Sequence, residues 1–268
     1  MKVVGVIPVG REKYLRCLVP YLLRDRHLFD HIQLWVNCAD EDRDYVYQLA
    51  IDHPGLFILK NAPHGEDPND RDHRVANIHY FHRNCVDPDA VYVRFDDDIV
   101  WVAPNAISDL IAYRLANPDW WMVVGNIVNN GATYILHAGG NILSNWRSEF
   151  GQKLHLYSEL ANFSHRRFFE RLDNETLHKY NFDVWNGGLG TLIPNQVYAF
   201  FGKDWAKFNG EVLHSDEYGW LGQTYPSKEG RRNCMLGSTL FVHYSYKPQE
   251  EGVLPDYLER YQRLADAC

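Results

Sequence analysis

Three consecutive aspartates, Asp96-Asp97-Asp98, follow the apolar run Ala90–Phe95 without a break. The run is typical of a β-strand. Three adjacent carboxylates cannot be buried without partners, because burying an unpaired charge costs several kcal/mol. The strand therefore has to end at an opening where a positive group is available. A divalent cation, which prefers oxygen ligands, and a cluster of basic side chains both satisfy this requirement.

A second pair of carboxylates, Asp216 and Glu217, lies in a polar stretch between Leu213 and Trp220. Transfer of a group to a hydroxyl needs a general base within hydrogen-bond reach, and either carboxylate could fill that role. Acidic residues are also favoured at an exposed helix N-terminus, so a purely structural role stays open.

Basic side chains that could pair with phosphate oxygens occur at several points of the chain: Arg11, Arg71, Arg74 and the pair Arg231-Arg232. The last pair is equally compatible with a solvated loop. Trp185 has the flat apolar face on which a sugar ring can stack, although tryptophans more often pack in a core.

Short apolar runs alternate with amphipathic segments through the first hundred residues. The patterns predict strands over 3–8, 31–36, 56–59 and 90–95, helices over 14–28, 44–52 and 75–85, and a loop over 61–74. Such alternation is typical of βαβ units on a mostly parallel sheet. Ligands bind beyond the carboxyl ends of parallel strands. The aspartates are therefore expected to share one rim with residues 8–11 and 37–40.

The second half of the chain is predicted to be less regular. A helix that starts after Pro104 and runs to about Ala116 and a strand over 121–126 precede an irregular aromatic stretch over 139–180. A glycine loop over 185–190, a short element over 196–201 and an amphipathic helix over 255–265 follow. No internal repeat or linker interrupts the pattern, which favours one domain over residues 1–268.

The composition excludes several classes of protein. The formal net charge is −8 over 268 residues, so nonspecific nucleic-acid binding is not expected. No apolar run approaches the ~20 residues of a membrane span, and the first residues look like a strand and not a secretory signal. The five cysteines are widely spaced without a CxxC pair, which excludes zinc ribbons and favours reduced thiols in a cytoplasm. The composition does not exclude attachment to a membrane surface.

Four segments, in this order, resemble the GT-A class of nucleotide-sugar glycosyltransferases, and within it the family-two-like inverting enzymes. Residues 3–15 are similar to the opening strand and turn, and 92–98 to the DxD motif. Residues 185–189 resemble the glycine loop on the acceptor side, and 214–221 the late acidic motif that carries the base. Two positions depart from the class: Asn37 stands where many members have an acidic residue, and the late motif reads Asp-Glu instead of Glu-Asp.

The resemblance implies a GT-A-like, Rossmann-like fold with a nucleotide-sugar half over 1–125 and an acceptor half over 126–268. It implies Asp98 as the direct ligand of Mn²⁺ or Mg²⁺, Asp96 as a ribose or water-bridged metal contact, and the late His243 as a metal or diphosphate contact. A satisfied histidine at a strand end is an equally good interpretation of His243. In the late motif Glu217 is favoured as the catalytic base, with Asp216 as its alternative.

The remaining implied contacts fall into two groups. The donor, a UDP- or GDP-sugar, is expected to meet residues of the strand-end rim: Pro8, Val9, Arg11, Asn37, Asp40, Arg74, Asp96 and Asp97. Of these Asp97 points away from its neighbours in an extended chain and is equally compatible with a structural role. The acceptor, a glycan or another hydroxyl compound, is expected at Trp185, Gly187 and Gly188.

These features predict a metal-dependent glycosyltransferase that moves a sugar from a nucleotide diphosphate to a hydroxyl, with inversion. A nucleotidyltransferase that makes a nucleotide sugar is the first alternative. Such enzymes usually carry a glycine-rich basic loop after the first strand, and residues 8–13 contain a single glycine. A non-catalytic carbohydrate-binding protein on the same fold is the second alternative, which the Asp216-Glu217 pair disfavours.

Overall fold

A computed structural model describes residues 1–38, 40–61, 79–137, 154–191, 193–212 and 219–268. In this part of the chain nine strands form one sheet. The strands are β1 Lys2–Val9, β2 His31–Val36, β3 Phe57–Asn61, β4 Ala90–Phe95, β5 Ile99–Val102, β6 Val123–Val128, β7 Trp185–Asn186, β8 Val197–Phe201 and β9 Cys234–His243.

The sheet is mixed but mostly parallel, as the sequence predicts. Its order is β3-β2-β1-β4-β8-β6-β9-β5, with β7 added to β9. β1, β2, β3, β4, β6 and β9 run in one direction, whereas β5, β7 and β8 run against them. The carboxyl ends of β1, β2, β4, β6 and β9 therefore lie on the same rim of the sheet.

Helices cover the sheet: α1 Glu12–Arg24, α2 Asp40–Asp52, α3 Ala106–Ala116, α4 Gly131–His137, α5 Ser158–Asp173, α6 Gly202–Ala206, α7 Tyr225–Glu229 and α8 Pro255–Asp266. A π-helical turn, Trp220–Thr224, leads into α7. Two buried apolar clusters pack on the sheet, one including residues of α1, α5 and α8 and the other centred on Trp121 and Trp205. Among the described residues, none of the helices has the length and apolarity that crossing a bilayer requires.

Most of the elements predicted in the first half are present. β2 and β4 coincide with the predicted strands, and α1 includes Pro20 without ending there. The predicted helix 14–28 is shorter, because the chain turns at Asp25 and forms a single 3-10 turn over Arg26–Leu28. Of the predicted helix 75–85, residues 79–82 are helical and 83–85 are not, while 75–78 lie outside the described residues. Most of the predicted loop, 62–74, also lies outside them.

Two elements differ from the prediction. The predicted irregular stretch 139–180 contains the 16-residue helix α5, whose inward face includes the polar side chains of Ser164 and His165. His165 is tolerated in the core because both its ring nitrogens have partners, the Tyr261 hydroxyl at 3.0 Å and the Tyr244 carbonyl at 2.7 Å. The strand β5 was not predicted: its four residues form an antiparallel pair with β9 directly after the aspartates.

Candidate functional site

The three aspartates form the tight turn that joins β4 to β5. The Asp96 carbonyl accepts the N–H of Ile99 at 3.4 Å, and the Asp96 N–H donates to the Gln196 carbonyl at 2.8 Å. Because β4 runs parallel to β1 and β5 runs antiparallel to β9, the turn lies between the ends of β1 and β9 on the carboxyl rim. This position is the one that the strand pattern predicts.

Asp97 is buried and is bound to the end of β1. Its Oδ2 accepts the backbone N–H of Gly10 at 2.8 Å and the Nε–H of Arg11 at 3.4 Å, while its Oδ1 accepts from Arg11 Nη2 at 2.5 Å. Burial raises the pKa of Asp97, and the Arg11 charge opposes that rise. In this arrangement the side chain of Asp97 connects the turn to β1, which favours the structural role considered above.

Asp98 is buried with two cationic neighbours on one oxygen. Its Oδ2 lies 2.8 Å from Arg11 Nη2 and 3.3 Å from His243 Nε2. Burial alone would raise the pKa of Asp98, but His243 and Arg11 outweigh it and hold that pKa well below its usual range. The other oxygen, Oδ1, is buried and has no hydrogen-bond partner among the described residues.

His243 is the last residue of β9 and is also buried. Its Nδ1–H donates to the Asn129 carbonyl at 3.2 Å, which leaves Nε2 facing Asp98. Asn129 follows β6 in the left-handed region, at φ 61°, a conformation that asparagine adopts more readily than most residues. Burial lowers the pKa of His243, but the adjacent Asp98 carboxylate outweighs burial and raises it above its ordinary value.

Asp96 is the most accessible of the three carboxylates. Its side chain is 25% exposed, and its Oδ1 lies 2.5 Å from Nη1 of the buried Arg94. Arg94 also donates to the Asn195 carbonyl at 2.5 Å, so this residue of β4 contacts both Asp96 and the segment that enters β8. Asp96 can therefore meet a ligand from solvent while Asp97 and Asp98 face the protein.

The residues of the turn fit a divalent cation in one respect. A buried carboxylate oxygen without a partner, such as Oδ1 of Asp98, is costly unless a cation or a donor meets it. An imidazole whose Nδ1–H is fixed by a carbonyl is the usual arrangement of a metal-binding histidine. Within the described ranges no three histidine, cysteine or acidic side chains form a ready metal cluster. A cation here would need further ligands from a bound phosphate or from water.

Beside His243 lies a group of amide and phenol side chains that the sequence analysis did not identify. The Tyr246 ring packs 4.6 Å from the His243 ring, and its hydroxyl accepts from Asn130 Nδ2 at 2.8 Å and Gln196 Nε2 at 3.0 Å. The Asn129-Asn130 pair follows β6 as the aspartates follow β4. That repetition of polar residues after a parallel strand was the available signal.

Four further residues predicted to contact the donor lie on the same rim with different exposures, namely Pro8, Val9, Asn37 and Asp40. Pro8 and Val9 are buried within β1, so only their backbone could reach a ligand. Asn37 follows β2, and its N–H donates to the Val9 carbonyl at 2.9 Å. Asp40 begins α2 with its side chain 86% exposed and 3.2 Å from Arg43. The predicted donor contacts of these residues stay predictions.

The glycine loop begins with the short strand β7, whose residues Trp185 and Asn186 pair with β9. The Trp185 ring folds back over Gly187, where an added Cβ would lie 2.7 Å from the ring. Gly188 is exposed beside it. Trp185 is partly buried and packs against the Trp121–Trp205 cluster, so core packing accounts for part of its surface.

Several predicted residues lie outside the described residues: Arg71, Arg74, Asp216 and Glu217. Arg231 is described and does not face the aspartates. Its guanidinium meets Asp204 at 2.6 Å and donates to the carbonyls of Pro118 and Trp120. Arg232 is exposed. Arg231 therefore has a structural role and no phosphate-facing one, while Arg71, Arg74, Asp216 and Glu217 stay predictions.

No protein-family model and no curated protein sequence matches this chain. Solved structures do show a similar chain path. Over 100% of this chain and 99% of the other, it superposes on CMP:2-keto-3-deoxy-manno-octonic acid synthetase complexed with CTP, with a TM-score of 0.47 and 11% identity. The 4-diphosphocytidyl-2C-methyl-D-erythritol synthase of Anaerococcus prevotii gives a TM-score of 0.45 and 9% identity over 99% and 96% of the two chains.

A third structure, 2-C-methyl-D-erythritol 4-phosphate cytidylyltransferase from Francisella tularensis, superposes with a TM-score of 0.44 and 11% identity, over 98% of this chain and 100% of that one. All three proteins are named for the transfer or synthesis of cytidyl compounds. At these identities and TM-scores the similarity does not bear on the chemistry of the site.

Proposed function

We propose that this protein is a metal-dependent glycosyltransferase that uses a nucleotide diphosphate sugar as donor. The observation that carries the proposal is the environment of Asp98. A buried carboxylate with one unpartnered oxygen shares its other oxygen with an imidazole at the carboxyl rim of a parallel sheet. Oxygen ligands with few protein contacts suit Mg²⁺ or Mn²⁺, which complete their coordination with substrate phosphates.

The chain's own residues have separate roles in this proposal. Asp98 and His243 would hold the cation, which when bound neutralises the charge that develops on the departing diphosphate. Asp96, as the accessible carboxylate, would contact the ribose or a water on the metal. Asn37, directly after β2, and Asp40, at the start of α2, are proposed to contact the base of the nucleotide.

The reaction forms a bond between the acceptor oxygen and the anomeric carbon and breaks the bond from that carbon to the diphosphate oxygen. The electron pair of the broken bond leaves with the nucleoside diphosphate. The acceptor's hydroxyl proton passes to a general base, for which Glu217 is proposed first and Asp216 second. Trp185, with Gly187 and Gly188, would support the acceptor sugar from the β7 side.

The test is to incubate the full chain with UDP- and GDP-sugars, with and without Mn²⁺, and to measure release of the nucleoside diphosphate. We expect metal-dependent release that rises when a suitable hydroxyl acceptor is present. A chain that neither binds UDP or GDP with millimolar Mn²⁺ nor releases them from sugar nucleotides would contradict the proposal. Sugar binding that requires neither metal nor nucleotide would indicate instead a carbohydrate-binding protein.

A nucleotidyltransferase that makes a nucleotide sugar is the second candidate, and it is favoured by the two cations that follow β1, Arg11 and Lys13. A triphosphate would need such cations. Against it, only Gly10 and Arg11 separate β1 from α1, which is short for a loop that wraps phosphates. Both cations also pair with protein carboxylates, Arg11 with the aspartates and Lys13 with Glu250 at 2.7 Å. Pyrophosphate release from CTP or another nucleoside triphosphate and a sugar would decide for this candidate.

A further inference from the structure

Arg11 bridges two of the three aspartates with one nitrogen. Its Nη2 lies 2.5 Å from Asp97 Oδ1 and 2.8 Å from Asp98 Oδ2. A second nitrogen, Nε, meets Asp97 alone at 3.4 Å. The guanidinium is thus attached to Asp97 at two points and to Asp98 at one, so the contact with Asp98 can break while the contact with Asp97 persists.

The charges around Asp98 are balanced within the protein. Arg11 and His243 face the carboxylates of Asp97 and Asp98, so the buried part of the site is close to neutral when His243 is protonated. A divalent cation on Asp98 would bring two further positive charges within a few ångströms of the guanidinium. At such distances like charges repel by several kcal/mol, even at an intermediate dielectric constant. A cation and Arg11 therefore compete for the same carboxylate.

The Arg11 guanidinium also has an alternative partner if it leaves Asp98. Its side chain is 31% exposed, and its guanidinium carbon lies 4.9 Å from the centre of the Tyr14 ring in the first turn of α1. Arg11 follows β1 at the carboxyl rim, where the diphosphate of the donor would lie. A guanidinium binds phosphate oxygens as well as it binds carboxylates, with two parallel hydrogen bonds.

We propose that Arg11 is a positioning residue that competes with the divalent cation for Asp98 and exchanges that contact for the diphosphate of the donor. This inference rests on the proposed function, because it assigns Arg11 a role at the same site. In the metal-free state Arg11 holds Asp98. When metal and nucleotide diphosphate bind together, Arg11 keeps Asp97, leaves Asp98 to the cation and pairs with a phosphate oxygen.

The exchange makes binding of metal and of nucleotide mutually dependent. Metal alone repels the Arg11 guanidinium without giving it a new partner, so it binds weakly. Nucleoside diphosphate supplies that partner and strengthens metal binding. By linkage the metal then strengthens nucleotide binding by the same factor. Both ligands bind well only as a pair, which keeps the site from holding an unproductive metal ion.

The first arm of the test measures Mn²⁺ binding to the full chain without nucleotide, by the loss of the free Mn²⁺ signal in electron paramagnetic resonance. We expect Arg11→Gln to bind Mn²⁺ about 10-fold more tightly than the natural protein, a factor usual for coupled sites. Arg11→Lys should lie between them, because an ammonium cannot bridge both carboxylates in the same way. Arg24→Gln is the matched control, since Arg24 is 26% exposed and pairs with Asp25 at the end of α1 without contacting the aspartates of the turn in any hydrogen bond or ion pair of the described residues.

The second arm repeats the titration with saturating UDP or GDP. The natural protein should gain Mn²⁺ affinity on adding nucleotide, and Arg11→Gln should lose most of that gain. A folded Arg11→Gln that binds Mn²⁺ no more tightly than the natural protein would overturn the inference and leave Arg11 as a support of the turn. If Arg11→Gln does not fold, Arg11→Lys decides by the same criterion. If neither UDP nor GDP binds, the proposed function fails while the first arm still judges the competition for Asp98.

Discussion

Gly10 donates its backbone N–H to Oδ2 of Asp97 at 2.8 Å, and this bond fixes the end of the first strand to the turn of aspartates. A Cβ at Gly10 would lie only 3.2 Å from the same oxygen, which is closer than most Cβ contacts, so the carboxylate would have to shift slightly. The residue after Gly10 is Arg11, so the bond also determines where the guanidinium enters the site.

Gly10→Ala is therefore expected to destabilise the protein by about 1–2 kcal/mol, the usual cost of forcing a methyl group into a packed site. The free energy of unfolding from urea titrations checks this. Gly222→Ala is the control, because outside its own helical turn the nearest atom to the added Cβ would be 4.0 Å away. Equal stability of the Gly10 and Gly222 variants would show that the turn relaxes without cost.

Asp98→Asn should abolish metal-dependent nucleotide binding while the chain stays folded. The amide keeps the shape of the side chain but removes the charge that a cation requires, and we expect a loss of about 100-fold or more in affinity for UDP or GDP at millimolar Mn²⁺. Isothermal titration calorimetry gives the number. Asp109→Asn, an exposed position in the first turn of α3, should bind as the natural protein does. Unchanged binding by Asp98→Asn would place the metal elsewhere.

Asp204 lies between two arginines in the interior. Its Oδ2 is 3.3 Å from the fully buried Arg114 and its Oδ1 is 2.6 Å from Arg231. Asp204→Asn leaves a buried guanidinium without its counter-charge, so we expect a loss of about 3–5 kcal/mol in the free energy of unfolding. Glu170→Gln, which breaks an exposed pair with Arg166, should cost less than ~0.5 kcal/mol. Similar losses in both variants would contradict this interpretation of the cluster.

His165 should make stability depend on pH. The ring is buried against Tyr244, Tyr257 and Tyr261, and burial lowers its pKa to about 4, with the nearby His243 adding to the effect. The unfolded chain binds a proton near pH 6.5 and the folded chain only near pH 4. The neutral His165 ring therefore contributes fully to the free energy of unfolding above pH 6.5. This contribution, about 3 kcal/mol in total, is lost as the pH falls from 6.5 to 4.

Urea unfolding of the natural protein and of His165→Gln between pH 7 and pH 4 measures this contribution. The variant should be less stable at pH 7, because it loses the bonds to Tyr244 and Tyr261, but it should lose less stability on acidification. His178→Gln, at an exposed position, should follow the natural protein across the range. Parallel pH profiles for the natural protein and His165→Gln would exclude the buried neutral imidazole as the cause.

The strand pattern predicts the sheet well because most of its strands can be recognised from the local sequence alone. β2 and β4 are short apolar runs bounded by polar residues, and each was located to the residue. The parallel direction follows from the alternation with helices, so the position of the aspartates on the rim was also predictable. The amphipathic helix α8 was found to within one residue at its carboxyl end for the same reason.

The elements and contacts that the sequence does not predict depend on residues that are far apart in the chain. β5 has only four residues and becomes a strand by pairing with β9, about 140 positions later. The inward face of α5 is hard to recognise from the sequence because it includes the polar residue His165. This ring can be buried only because the Tyr261 hydroxyl and the Tyr244 carbonyl bind its two nitrogens. Arg11 could be proposed as a phosphate ligand from its place after β1, but its contact with Asp97 and Asp98 requires the turn to fold back toward β1.

β9 pairs with β5, β6 and β7, and its last residue is the histidine that faces Asp98. During translation the turn of aspartates is synthesised early, whereas its partner His243 is synthesised when almost the whole chain has been produced. Until then β5 and β6 each lack their partner in β9, and Asp98 has one cation where the finished protein has two. A premature stop before residue 234 thus removes His243 and the strand with which β5, β6 and β7 pair in a single event.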